Sequence, residues 1–207
     1  MKAKEIMEIS PIVPVIALDD VNNAVPLALA LLEAGIQIME ITLRTDAGLR
    51  SIEKIAKIVP DMHVGAGTVT NKKDFKNSIN SGAKFVFSPG INQELIDYSK
   101  KTDVALIPGV ATASEIMFAQ NNDIFYCKLF PATTVGGVDA LKSYGGPFPK
   151  MNFCPTGGVN LSNLKDFLKL KNVLCIGGSW ITPKSAIKEK NFKLITKLSK
   201  EALTSIK

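Results

Sequence analysis

The sequence predicts the α/β class and, within it, a single-domain (β/α)8 TIM barrel spanning residues 1–207. Short β-branched apolar runs alternate with amphipathic stretches, the pattern of repeated βα units around a parallel sheet. The runs number eight, the count at which such a sheet closes on itself. Successive runs end in glycine, proline or polar residues, and barrels collect their binding groups at strand carboxyl ends. A length of 207 residues allows one ordinary domain at roughly 150 residues per domain and lies near the lower end for this fold. A composition 46% apolar and 21% charged excludes disordered and fibrous classes.

The predicted strands are Ile12–Ala17, Gln37–Leu43, His63–Thr68, Phe85–Ser88, Ala105–Pro108, Phe125–Phe130, Asn152–Thr156 and Val173–Ile176. Helices are expected near 20–34, 46–58, 71–81, 92–100, 112–121, 136–144, 160–170 and 187–205, with Asn71, Asn92, Thr112 and Asn160 as N-caps. Residues 1–10 read as a short helical cap over the barrel bottom. An open doubly wound sheet is the alternative arrangement of the same units.

Charge narrows the partners. A net charge of +6 could suit a nucleic-acid or membrane-surface partner, but Arg44 and Arg50 are the only arginines and the lysines are dispersed along the chain. Nucleic-acid readout favours clustered arginine forks, so no nucleic-acid partner is expected. No apolar run reaches the ~18 residues of a membrane span, and the mixed charges of Met1–Glu8 do not form a secretory signal; a cytoplasmic protein without a membrane partner is expected. Cys127, Cys154 and Cys175 lack CxxC spacing and read as small buried hydrophobes. With His63 as the sole histidine, neither a metal site nor a Ser-His-Asp arrangement is indicated.

Lys128 is the anomalous residue. It interrupts the apolar run Ile124–Pro131, and in a central barrel strand desolvation favours its neutral, nucleophilic amine, the reagent of Schiff-base chemistry with a carbonyl substrate. From burial alone it could equally snorkel outward or pair with a carboxylate. Glu40 is likewise the one carboxylate of Ile36–Leu43, suited to acid–base work. Strand parity points Ile38, Glu40 and Thr42 to one face and Tyr126, Lys128 and Phe130 to one face. The second and sixth strands contribute to the same interior layers, so the two groups could meet; a purely structural ion pair is the plain alternative.

Arg44 shares Glu40's face if the strand continues, and offers a fork for a substrate carboxylate. Thr68 can donate a hydroxyl hydrogen bond, with Gly65 and Gly67 letting a ligand approach the backbone. Gly157 and Gly158 after the seventh strand, and Gly177, Gly178 and Ser179 after the eighth, fall where barrels bind phosphate. Either glycine pair alone also reads as an ordinary tight turn.

Together, Glu40-Ile-Thr-Leu-Arg44, Val64-Gly-Ala-Gly-Thr-Val69, Ser88-Pro-Gly90, Lys128-Leu-Phe-Pro-Ala132, Phe153-Cys-Pro-Thr-Gly-Gly158 and Cys175-Ile-Gly-Gly-Ser-Trp180 closely resemble the 2-keto-3-deoxy-6-phosphogluconate (KDPG) and 4-hydroxy-2-oxoglutarate (KHG) aldolase family. The resemblance runs end to end. It implies that Lys128 is the Schiff-base lysine and Glu40 the acid–base group, with Arg44 and Thr68 near the pyruvyl carboxylate. Gly157, Gly158 and Ser179 match the phosphate site, and Pro89, Phe130 and Thr156 match pocket-lining positions. It further implies a class I aldolase without cofactor, a phosphorylated 2-keto acid substrate, cleavage to pyruvate and glyceraldehyde 3-phosphate, and a homotrimer.

One departure stands out: Thr133-Thr134 replaces a glutamate that many members carry after Phe-Pro-Ala, which bears on the choice among KDPG, its galactonate-derived C4 epimer and KHG. The alternatives outside the resemblance are a sugar-phosphate isomerase or epimerase barrel that forms no imine, and a phospho-ligand binding protein that has lost its chemistry.

Overall fold

The computed structural model describes residues 1–206. After a helix α1 (Ala3–Met7), whose Ile6 and Met7 are buried, the chain winds through parallel strands separated by helices. Strands β1 (Ile12–Ile16), β2 (Ile38–Thr42), β3 (His63–Gly67), β4 (Phe85–Phe87) and β5 (Ala105–Ile107) form one continuous sheet. Strands β6 (Gly109–Val110), β7 (Tyr126–Leu129) and β8 (Asn152–Pro155) form a second. β5 and β6 are one barrel strand broken at Pro108, which has no N–H for a ladder. The Pro108 carbonyl still accepts from Lys128 N at 2.8 Å, carrying the ladder across the break.

The last strand, β9 (Ile176–Gly178), pairs with β1 and meets β8 through the Thr156–Gly177 bridge, so the two sheets join into a ring. The order is that of an eight-unit barrel. The strands are buried on both faces, as expected of a parallel sheet wrapped in helices: β2 is buried at all five positions.

Most sequence expectations match within a residue or two, and three do not, the first being the helix near 187–205, which is divided into Lys184–Lys188 and Phe192–Ser205. The eighth strand lies at Ile176–Gly178 and not at Val173–Ile176; Val173 contributes only an isolated bridge to Phe153. Glycine is usually poor in strands, but here close packing demands it. A Cβ on Gly177 would lie 2.1 Å from Thr156 Oγ1, and one on Gly178 would lie 1.7 Å from the Trp180 ring. Asn160 is not an N-cap either. Its Oδ1 accepts from Ser162 N in a turn, and the helix α8 (Leu164–Leu168) starts after Asn163.

Asn71, Asn92 and Thr112 do cap their helices, α4 (Lys72–Asn80), α5 (Gln93–Ser99) and α6 (Ala113–Asn121), by accepting from the third helical N–H. Thr112 also closes a reciprocal box with Glu115. These caps fix where each loop leaves the barrel top. The remaining helices, α2 (Ala24–Glu33), α3 (Gly48–Ile58), α7 (Gly137–Gly145), α9 (Lys184–Lys188) and α10 (Phe192–Ser205), complete the outer layer. No helix among the described residues is long and apolar enough to cross a membrane.

Candidate active site

Glu40 and Lys128 reach each other across the barrel interior, 88 residues apart in the chain. Lys128 Nζ donates to Glu40 Oε1 at 3.2 Å and to Oε2 at 3.3 Å. The strand parity explains the meeting: both side chains point inward, and each has a small neighbour. Gly109 pairs with Lys128 and Gly65 with Glu40, and the space beside those two glycines is taken by the Pro89 carbonyl and the Phe85 ring.

The pair is 3% and 1% exposed. Lys128 Nζ lies 5.2 Å from the Phe87 ring centroid and 5.4 Å from that of Phe130. The two rings exclude water while presenting π faces that tolerate an ammonium. A buried amine and carboxylate in direct contact can share one proton. Passing it from Nζ to Oε leaves a neutral amine and a carboxylic acid, so each holds the form the other needs for chemistry.

Gly65 and Gly67 play a part different from that expected. A Cβ on Gly67 would lie 1.9 Å from Glu40 Oε1, and one on Gly65 would lie 2.2 Å from the Phe85 ring. The glycines make room for the carboxylate and an aromatic ring; they do not open the backbone to a ligand. Thr68 follows in the left-handed region at φ 60°, strained for a β-branched residue by roughly 1–3 kcal/mol. Its hydroxyl accepts from Arg44 Nε at 3.1 Å. That bond holds the guanidinium over the barrel mouth with its terminal nitrogens available.

Arg44 itself lies beyond β2, because the strand ends at Thr42. One further ladder bond, Leu43 N to the Gly67 carbonyl at 2.8 Å, keeps the turn in register with β3. Arg44 opens onto a cavity of about 400 Å³ at the carboxyl ends of β1, β2, β7, β8 and β9. Phe130, Thr156, Gly157, Gly158 and Ser179 also line it. Lys128 and Glu40 lie deeper, with Phe130 touching both the amine and the cavity. Thr68 and Pro89 stand beside this space and not on its wall; the Pro89 carbonyl instead crowds Gly109, where a Cβ would approach to 2.2 Å.

On the far side, Gly157 and Gly158 adopt φ of 100° and 78°, open only to glycine without strain. Their carbonyls are tethered outward. That of Gly157 accepts from Thr133 N at 3.1 Å and Thr133 Oγ1 at 3.3 Å, and that of Gly158 from Asn163 Nδ2 at 3.0 Å. With the carbonyls engaged, the amide N–H groups of this turn are left for an anion. Thr133 is a residue whose function the sequence left open. Its short hydroxyl fits against Gly158, where a Cβ would come within 1.9 Å.

Two of the three thiols, Cys127 and Cys175, are poor nucleophiles. Burial pushes the Cys127 thiol well above the ordinary range, and the Cys154 hydrogen bond together with burial does the same for Cys175. Among the described residues no group of three or more His, Cys, Asp or Glu side chains could hold a metal ion.

Known proteins share this arrangement throughout the chain. Residues 3–198 match the aldolase family described as KDPG and KHG aldolase. The 2-dehydro-3-deoxy-phosphogluconate aldolase of Dickeya dadantii (strain 3937) is 43% identical over 201 residues, covering 97% of this chain and 94% of the relative. The KHG/KDPG aldolase of Escherichia coli (strain K12) is 42% identical over 205 residues, 99% and 96% of the two chains. A crystal structure of the Legionella pneumophila KDPG aldolase, with pyruvate captured at low pH as a covalent carbinolamine intermediate, is 41% identical. It superposes with a TM-score of 0.95 over 97% of this chain and 98% of that one. With a buried lysine–glutamate pair beneath a cavity lined by Arg44 and the glycine turns, and this likeness from end to end, the chain belongs to the KDPG and KHG aldolase family.

Proposed function

We propose that this protein is a class I aldolase that cleaves KDPG to pyruvate and glyceraldehyde 3-phosphate through an imine on Lys128. The observation that carries the reading is the 3.2 Å contact between Lys128 and Glu40 inside an aromatic enclosure. An isomerase or epimerase barrel has no need of a buried primary amine, and a binding protein has no need of its proton acceptor.

The steps follow from that contact. Glu40 takes a proton from Lys128, and the neutral amine adds to the C2 ketone to give a carbinolamine. Glu40 returns the proton to the C2 hydroxyl, water leaves, and an iminium remains. The iminium accepts the electron pair of the C3–C4 bond as Glu40, directly or through a water, removes the C4 hydroxyl proton. Glyceraldehyde 3-phosphate departs, the enamine gains a proton at C3, and water releases pyruvate from the lysine.

Arg44, held by Thr68, suits the substrate carboxylate, and Phe130 and Thr156 shape the space between carboxylate and amine. Gly157, Gly158 and Ser179 suit the phosphate, and Pro89 enters only through the resemblance, as a pocket-lining position. No cofactor enters this scheme. KHG would use the same lysine without the phosphate grip and would yield pyruvate and glyoxylate. The family resemblance further implies a homotrimer, for which a single band in analytical ultracentrifugation at three times the chain mass is the expected result.

The test is a coupled assay for pyruvate from KDPG, with and without prior chelator dialysis. The reading expects equal turnover in both and slower turnover with the galactonate-derived epimer. Absence of pyruvate formation from both phosphates would overturn it.

A further inference from the structure

The cavity carries a second cation that no motif marks. Arg44 and Lys184 are the two charged residues on its wall. Lys184 is the first residue of α9, is exposed, and makes no ion pair among the described residues. It stands on the side of Gly177, Gly178 and Ser179, whereas Arg44 leans toward β3 through Thr68. Since β1 alone lies between β2 and β9 in the sheet, the strands that lead to the two cations are two spacings apart, about 10 Å. One cavity wall thus carries two cations reached from different strands, which suits a 2-keto acid with an anion at each end.

Lys184 also borders an adjoining cavity of about 310 Å³, which it shares with Asp19, Asp20, Lys188 and Lys190. The loop after β1 therefore sets two carboxylates behind Lys184. Lys188 and Lys190 share that cavity with the two carboxylates, so Lys184 is the one cation of the group that also borders the cavity of Gly157 and Gly158 and adds positive potential where the anion sits.

We infer that Lys184 is a specificity-determining residue of the aldolase proposed above, supplying the positive charge that favours a 2-keto acid with a distal phosphate over one without. The inference rests on the aldolase reading for the identity of its substrate, and on the cavity geometry for the anion itself. Because Lys184 is exposed and follows the loop residue Pro183, its replacement leaves the barrel core untouched.

The experiment compares the full-length protein with Lys184→Gln and Lys184→Arg. KM for KDPG should rise about 5- to 20-fold in Lys184→Gln with a smaller change in kcat, as expected for one lost charge-assisted contact. Competitive inhibition by inorganic phosphate should weaken in parallel, while the rate at which borohydride traps the pyruvate adduct stays as in the wild type. Lys184→Arg should restore most of the KM, and added salt should narrow the gap between wild type and Lys184→Gln. Equal KM values for KDPG, or an equal loss in pyruvate trapping, would overturn the role of Lys184. If the wild type cleaves no KDPG, the aldolase reading fails instead, and titration of both proteins with inorganic phosphate still decides whether Lys184 binds the anion.

Discussion

Lys128 and Glu40 meet with 3% and 1% of their surface exposed, held by strands and two aromatic rings, whereas Arg44, Gly158 and Ser179 stand in the open at the rim. In the interior, Glu40 is seated in space that Gly67 leaves open, and Lys128 is held by that carboxylate and the Phe87 and Phe130 rings. The rim is specified by backbone: positive φ at Gly157 and Gly158, tethered carbonyls, and a strained Thr68. The first arrangement suits covalent chemistry, which needs dryness and a shared proton. The second suits recognition of a hydrated anion that must enter and leave. Damage to the interior should therefore appear in kcat, and damage to the rim in KM.

The largest effect is expected in the interior. Lys128→Ala should lower kcat by at least ~10³-fold, since no other amine adjoins Glu40. Steady-state cleavage of KDPG checks it; near-normal turnover would remove Lys128 from the mechanism. Glu40→Gln should lower kcat about 10²- to 10⁴-fold and also leave the Lys128 ammonium unbalanced in a dry interior. The second consequence is measurable by urea unfolding, where breaking such a pair costs about 3–5 kcal/mol.

An intermediate effect tests the fit between glycine and carboxylate. Gly67→Ala should displace Glu40 and destabilise the fold by roughly 1–3 kcal/mol, with a fall in kcat that exceeds any change in KM. Unaltered kcat in that variant would mean that Glu40 needs no fixed position. At the rim, Arg44→Gln should raise KM for pyruvate-bearing substrates about 10-fold and leave kcat within a few-fold. A variant with the opposite pattern would erase the distinction between interior and rim.

How much of this was legible before the structure follows the same division. The Lys128–Glu40 pair was readable because a lone charge in an apolar strand is anomalous and parity fixes its direction. The eight units and three of four caps were readable from period and cap chemistry. The last strand was misplaced because Gly177 and Gly178 carry no strand propensity. Their presence is dictated by Thr156 and Trp180, which lie far from them in the chain or fold back locally. The purpose of Gly65 and Gly67 was missed for the same reason, since a glycine that makes room for a side chain on another strand looks like one that makes room for a ligand. Lys184 gave no signal at all, and Thr133 only that of a departure from the resembled pattern with no part assigned to it, because their importance lies in what the fold sets beside them.

The smallest effect concerns the buried thiols. Cys127 and Cys175 stay protonated in the fold to well above the ordinary thiol value of 9.0, at which the unfolded chain ionises. Their contribution to stability is thus complete below about pH 9 and declines as pH rises beyond it, because only the unfolded state releases the proton. Urea midpoints from pH 7 to pH 10 should be flat and then fall, and Cys127→Ala should shallow that fall. A midpoint that rises above pH 9 would contradict the sign.

The most direct measurement is reductive trapping. The protein is incubated with pyruvate and borohydride, digested, and the modified peptide identified by mass. The account predicts a single lactyl adduct on Lys128, absent from Lys128→Ala. An adduct on a different lysine, or an active protein that forms none, would contradict it.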